Sequence, residues 1–443
     1  MSRRKKRSLP TEPVDLQISN LSHDGRGVAE LEGKKVFVHG ALPGELVRAR
    51  LLASRRRYSE AEAVEILRSS PDRVEAKCPH FGRCGGCALQ HLDPAAQIQA
   101  KQDTLLQNLE RIGKVRPVQV LEPVTGPQWQ YRRKARLSVR YVIKKEKVLV
   151  GFRERQGRFV AELSECHVLD KRVADLLPSL TQLFDDMAAR DRIPQVEVAC
   201  GDRSCALVVR HMDPLDSADL AALTRFAQDS GVAILLQGDG PESIRPLEPP
   251  DSRLEYDIPA YDLTLEFGPA DFIQVNAALN RAMITQAVGL LEPGGSDRVL
   301  DLFCGLGNFT LPLARLAGTV TGVEGDLMLV EKARHNARRN GISNVEFHVA
   351  DLVSVQQGVS WLRQDYDKVL LDPPRSGAQE TLSHLAATKA HRVVYVSCHP
   401  ASLARDAHDL VHRHGFNLQA AGVMDMFPHT SHVESIALFE RKR

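Results

Sequence analysis

The chain has no apolar run long enough to cross a bilayer, no heptad pattern and no internal repeat of 20–50 residues. A spanning helix, a coiled coil and a solenoid are therefore excluded. It also has almost no net charge: 58 Lys and Arg against 56 Asp and Glu leave +2, so the balance alone names no partner. Behind the basic start MSRRKKRSL there is no apolar h-region, which argues against a secretory signal and for a cytoplasmic protein. Eight cysteines in a long, unsecreted chain argue against a disulfide framework and point to metal binding or catalysis.

What remains is ordinary globular composition, 43% hydrophobic and 26% charged, with length for two or three domains. Residues 1–11 read as a basic disordered arm, five of the first seven being Lys or Arg. Residues 12–70 alternate apolar and polar positions in short runs (VDLQISNL, KVFVHG, AEAVEIL) broken by DGRG and LPGE, the signature of a small β-barrel. Arg48, Arg50 and Arg55–Arg57 would make one of its sides basic, for RNA contact. Residues 71–265 form a central β-rich region. Between Trp129 and Arg158 it carries eleven Lys or Arg against Glu146 and Glu154, with aromatic residues interleaved. Basic side chains neutralise phosphates and rings stack on unpaired bases, so this stretch is read as a second RNA-binding surface. From 266 to 443 strands alternate with helices, which predicts a doubly wound α/β domain with a mainly parallel sheet.

In that last domain VLDLFCGLGNFT reads as a strand, a Gly-rich turn and a helix start. Glu324 closes the next strand, where a carboxylate takes the two hydroxyls of a ribose. The third glycine expected beside a dinucleotide pyrophosphate is missing, which disfavours NAD. Asp351, after the third strand, is placed for an adenine edge, and LLDPPRSG brings Asp372 to the same rim. Acidic and Gly-rich strand ends around one crevice point to a cationic adenosine cofactor without phosphates, S-adenosylmethionine. VVYVSCHPASLARD puts Cys398 at another strand end, as either a packed thiol or a nucleophile.

These motifs resemble the uracil-5 RNA methyltransferases: DFIQVN, DLFCGLGNFTLPLA, LLDPPRSG, YVSCHPASLARD and HTSHVESIALF occur in the family's order over most of residues 271–439. The resemblance implies a Rossmann-like fold, S-adenosylmethionine held by Gln274, Phe303, Asn308, Glu324, Asp351 and Asp372, and methylation of a uridine at C5. C5 of uracil is a poor nucleophile. A thiolate added to C6 makes C5 enolate-like, and after methyl transfer a base must remove the C5 proton so that the thiol can leave. Cys398 fits the thiolate, with a pKa depressed by roughly two units to make that form dominant. Cys304 in the cofactor turn is the competing thiol. Glu434, an acid in an apolar final strand, fits the base and is where the family places it; His399 is the rival. His429 and His432 are read as supporting groups or RNA contacts.

Cys78, Cys84 and Cys87 are spaced C-x5-C-x2-C around Gly85 and Gly86, and Cys166 supplies a fourth thiolate. Zinc and a [4Fe–4S] cluster both accept four thiolates. The absence of a second short pair favours iron–sulfur, as does resemblance to the iron–sulfur branch of the family. Cys200 and Cys205 read as core. Together the TRAM-like, OB-like barrel, the cysteine cluster and the methyltransferase domain resemble the branch that acts on 23S rRNA. That branch implies an unpaired or locally unfolded RNA target, no membrane, no protein partner and a monomer. Two other classes are a non-catalytic iron–sulfur RNA-binding protein and a radical S-adenosylmethionine enzyme; the latter's x3–x2 cysteine loop is missing.

Overall fold

The computed structural model describes residues 12–247, 253–353 and 359–441. The basic arm at 1–11 lies outside them. The chain divides into two compact units, residues 1–101 with 428–432, and residues 102–427 with 433–443.

In the first unit, strands β1 (Val14–Gln17), β2 (Asn20–Leu21), β3 (Gly27–Leu31), β4 (Lys34–His39), β5 (Leu46–Ser54) and β6 (Tyr58–Arg68) make one sheet in the order β1-β5-β6-β4-β3-β2. Alternate residues point inward, so Leu16, Val36, Val38, Val47, Ala49 and Ala61 meet in one apolar core. Three register shifts along β5–β6 bend that pair, as bulges do. Of the basic side predicted here, Arg48 is paired with Asp15 and Glu65 and Arg50 with Glu62. Arg55–Arg57, at the turn, are exposed, as is the ion-paired Arg50. Glu45 is fully buried and ties the strands to the segment that follows. It accepts from Leu42 N (2.7 Å), Ser70 N (3.2 Å) and the Arg73 guanidinium (2.6 and 2.8 Å). Burial raises its pKa, but these bonds outweigh burial and hold it below the ordinary range.

Helix α1 (Pro94–Asn108) carries the chain onward, followed by the two-residue strand β7 (Gln119–Val120). A central sheet then forms from β8 (Lys134–Val142), β9 (Lys147–Gly151), β10 (Gln195–Cys200), β11 (Cys205–Arg210), β12 (Ala233–Gln237) and β13 (Arg245–Pro246), in the order β13-β12-β11-β10-β8-β9. Helices α2 (Lys171–Ala174), α3 (Leu177–Asp186) and α4 (Ser217–Ser230) accompany it. Its basic stretch splits in two. Arg136, Arg140, Lys144, Lys145, Arg153 and Arg158 are exposed, as the strand alternation predicts. Arg132, Arg133 and Lys134 are not a surface patch, contrary to that reading. Arg133 is 3% exposed, with Nε donating to Gln274 O (2.9 Å) and its guanidinium over the Tyr256 ring at 4.8 Å. Lys134 donates to Pro269 O, and Arg132 Nε to Lys134 O.

Beyond it come the hairpin β14 (Leu254–Ile258) and β15 (Leu263–Phe267), helix α5 (Ala277–Leu291), β16 (Arg298–Leu302), α6 (Thr310–Ala314), β17 (Thr319–Glu324), α7 (Leu327–Arg339), β18 (Val345–Val349), β19 (Lys368–Leu371), α8 (Gln379–Ala387), β20 (Arg392–Ser397), α9 (Pro400–His412), β21 (Phe416–Met424) and β22 (Glu434–Arg441). The sheet order is β18-β17-β16-β19-β20-β22-β21-β7, parallel from β18 through β20, with β22 antiparallel to both of its neighbours. Strand order reverses beside β16, so the crevice for a ligand lies where the chain leaves β16 and β19. The sequence reading began this domain at 266. Leu254, Tyr256, Ile258, Leu263, Leu265 and Phe267 of the hairpin pack into the same core as Leu279, Met283 and Val299, so the core takes in residues from 254.

Candidate active site

Five adjacent strands deliver predicted residues to one edge of the sheet. Glu324 ends β17, Phe303 follows β16, Asp372 follows β19, Cys398 follows β20, and Asp351 lies just past β18. Because β22 runs antiparallel, its first residue, Glu434, comes to the same edge. In the β20–β22 register Ser397 faces Ser435, the neighbours of Cys398 and Glu434, and the Glu434 charge acts on the Cys398 thiol.

The turn after β16 needs left-handed backbone: Phe303 has φ 64°, Gly305 φ 55° and Gly307 φ 100°. Phe303 adopts it without being glycine, a strain that folds keep at functional positions. Its N–H and that of Cys304 donate to Val323 O, fastening the turn to β17. Glu324, nineteen positions after Gly305, accepts from Gly305 N at 3.1 Å and from Gly325 N and Asp326 N at 2.7 and 3.1 Å. The carboxylate is thereby fixed at the strand end. Asn308 is held by a reciprocal amide pair with Asn280 (3.0 Å both ways) and by the Tyr256 hydroxyl (2.9 Å). Gln274 is buried beside Arg133, while Asp351 is exposed and accepts from Val353 N (2.9 Å). Fixed acceptors, a Gly-rich turn and buried amides fit an adenosine cofactor, and the surplus of carboxylates suits one that bears a sulfonium.

The electrostatics at this edge differ from the expectation for Cys398. Burial, then the charges of Glu434 and Asp372, push its thiol up to about 11, against the pull of Arg375. The expected depression does not appear, because burial and the charges of Glu434 and Asp372 outweigh the charge of Arg375. Burial raises Glu434 well above the carboxylate range and lifts Asp372 to about 7. Cys304 is buried and pushed up still more clearly, as fits a packed thiol.

Two groups escaped the sequence reading. Asp301, inside the apolar strand RVLDL, is fully buried, accepts from Thr310 Oγ1 at 2.6 Å and is pushed up to about 8 by burial. An acid in an apolar strand was the signal that found Glu434, and it applied equally here. Arg375, three residues past Asp372 in LLDPPRSG, is the other: its charge acts on both Cys398 and Glu434. His399 proves to be the N-cap of α9: its Nδ1 meets Ser402 Oγ at 2.8 Å and accepts from Ser402 N at 3.3 Å. That role leaves Glu434 as the base candidate. His429 lies in the first unit, buried with φ 63°. Its N–H donates to Gln97 Oε1 (2.9 Å), and its carbonyl accepts from Ala88 N and Leu89 N.

Cys78, Cys84 and Cys87 stand outside any disulfide in a turn-rich loop of the first unit, and Gly86 N–H donates to Cys84 Sγ at 3.4 Å. Cys166, likewise outside any disulfide, lies in the second unit. Cys200 and Cys205 are core, as read, but they are also joined in a disulfide. The antiparallel register of β10 and β11 sets the two opposite each other, which a reading without pairing does not see. Asp170 lies near both sulfurs.

Comparison with known proteins agrees with this geometry. Residues 93–442 match the tRNA (Uracil-5-)-methyltransferase family, and residues 8–64 match the TRAM domain. The chain is 54% identical over 442 residues to a protein of Xanthomonas euvesicatoria named 23S rRNA (uracil(1939)-C(5))-methyltransferase RlmD, covering 99% of this chain and 100% of that one. A protein of the same name from Alkalilimnicola ehrlichii is 53% identical over 441 residues, with 99% of each chain covered. Among solved structures, the Pyrococcus abyssi tRNA (uracil-54, C5)-methyltransferase in complex with S-adenosyl-L-homocysteine superposes with a TM-score of 0.74 at 24% identity, over 96% of this chain and 100% of that one. That likeness establishes the fold.

Proposed function

The chain belongs to the tRNA (uracil-5-)-methyltransferase family, and we propose that it methylates C5 of a uridine in 23S rRNA, using S-adenosylmethionine. The relatives' shared name supports the RNA, and the strand-end crevice supports the cofactor. The TRAM match supports RNA contact by the first unit.

Within that reading, Cys398 adds through sulfur to C6 of the uracil. Negative charge then builds on the C5 side, and C5 takes the methyl group that the bound cofactor supplies as an electrophile. Glu434, as carboxylate, removes the proton from C5, and the C6–S bond breaks to return the thiolate. Gln274, Phe303, Asn308, Glu324, Asp351 and Asp372 hold the cofactor. The observation that supports this reading is the pairing of Ser397 with Ser435, the neighbours of Cys398 and Glu434, on the strand beside β19. With a thiol pKa of about 11, the thiolate is only about one part in 10⁴ at pH 7, so its formation depends on bound substrate and on local positive charge. Cys78, Cys84, Cys87 and Cys166 hold a [4Fe–4S] cluster that positions RNA, since the methyl transfer moves no electrons. Four thiolates leave no iron site for the cofactor, which separates this chemistry from the radical class.

The test is methylation of unmodified 23S rRNA by the purified protein, with mass mapping of 5-methyluridine. One new 5-methyluridine supports the reading, and methylation at a base nitrogen or a ribose instead would overturn it. Anaerobic protein should hold about four irons with visible absorption, and stoichiometric zinc without colour would refute the cluster.

A further inference from the structure

Helix α9, which begins two residues after Cys398, grips four consecutive residues of the loop that follows Asp372. Ser402 Oγ donates to Arg375 O at 2.7 Å, and Arg405 Nη2 donates to Ser376 O at 2.7 Å. Ala378 N donates to Asp406 Oδ2 at 2.7 Å. Gly377, at φ 86°, lies so close that a Cβ would stand 2.5 Å from both Arg405 Nη2 and Asp406 Oδ2. Asp406 is the centre of this arrangement. It is fully buried, and it also accepts from Tyr395 Oη (2.6 Å) and from Arg405 Nε and Nη2 (2.9 and 2.7 Å). A carboxylate buried with four donors is a rigid fixture, and removing it leaves those donors unpaired.

What the grip holds is Arg375. The charges that act on Cys398 come from Glu434 at the start of β22, Asp372 after β19 and Arg375 in this loop, and Arg375 is the cation among them. It acts on Glu434 as well. We propose that Asp406 is a positioning residue: with Ser402 and Arg405 it clamps residues 375–378 so that the Arg375 guanidinium stabilises the Cys398 thiolate. The inference rests on the proposed role of Cys398 and adds the group that makes its charged form accessible.

The experiment follows the rate of covalent adduct formation against pH, with full-length protein, S-adenosylmethionine and 23S rRNA transcribed with 5-fluorouridine. Wild type, Asp406→Asn, Arg375→Gln and the double variant are compared. Each single variant moves the acid limb about one pH unit to the alkaline side, an approximately tenfold loss at neutral pH. The double variant loses no more than Arg375→Gln alone, because Asp406 acts through Arg375. Additive losses, or an unshifted limb in folded Asp406→Asn, would reduce Asp406 to a structural role. Should Asp406→Asn fail to fold, Arg405→Gln replaces it with the same expected shift and the same non-additivity. If wild type forms no adduct, the nucleophile assignment itself falls; adduct formation with additive losses removes only the clamp.

Discussion

Cys398, Glu434, Asp372 and Asp301 all hold their protons more tightly than the same groups in water, and burial is the largest cause for each. In the proposed reaction the two groups act at different times. Cys398→Ala should bind cofactor and RNA yet give neither methylation nor adduct. Glu434→Gln should transfer the methyl and then stall as a protein–RNA adduct visible on denaturing gels, with turnover down by about 10²–10⁴. An adduct from Cys398→Ala would move the nucleophile elsewhere. For stability the sign runs the other way from a salt-bridged carboxylate. Asp301 titrates near 8 in the folded chain and near 4 when unfolded, so the fold binds the extra proton. Its contribution is complete below about pH 4 and is lost as pH rises toward 8. Asp301→Asn should therefore flatten the fall in Tm between pH 5 and pH 8, read by calorimetry of cofactor-free protein. An unchanged slope would place the linkage on Asp372. Of these residues, Cys398 and Glu434 were legible because each interrupts an apolar strand pattern. The raised thiol pKa was not legible, since it depends on which acids face the sulfur across neighbouring strands.

At the scale of elements, the parallel strands were visible as apolar, β-branched runs, and the Gly305–Glu324 spacing anticipated a contact that closes at 3.1 Å. Pairing across distance was not visible. Neither the addition of β7 to the sheet edge nor the Cys200–Cys205 link is written in local periodicity. The split of Arg132–Lys134 from the other basic residues has the same origin: a run of charges reads as surface until something packs over it. His399 shows how an element reassigns a residue. As the cap of α9 it satisfies an otherwise unpartnered N–H of the first turn, a role asparagine fills equally well. His399→Asn should keep both Tm and turnover, whereas His399→Ala should cost about 1 kcal/mol in urea unfolding. If His399→Asn loses turnover while staying folded, the imidazole has chemistry beyond capping, and the base assignment reopens.

For the whole molecule, a net charge of +2 conceals an uneven distribution. Arg140, Lys144, Arg153 and Arg158 stand exposed in the second unit, and Arg55–Arg57 in the first, while Arg133 is enclosed. RNA binding through such groups releases counterions, so affinity falls with salt at a slope of about 0.7 per phosphate contacted on a single strand. Replacing Arg140, Lys144 and Arg158 together by Gln should lower that slope by roughly two units, measured as log Kd against log salt with a fluorescent 23S rRNA fragment. Arg133→Gln should leave the slope unchanged and lower Tm instead, because its guanidinium holds the Gln274 carbonyl and covers the Tyr256 ring. The two variants thus test opposite halves of one sequence feature. A reduced slope from Arg133→Gln, with no loss of Tm, would show that the buried arginine meets phosphate after all. An unchanged slope from the triple replacement would mean that the exposed residues only solvate the sheet, leaving Arg55–Arg57 as the next residues to neutralise.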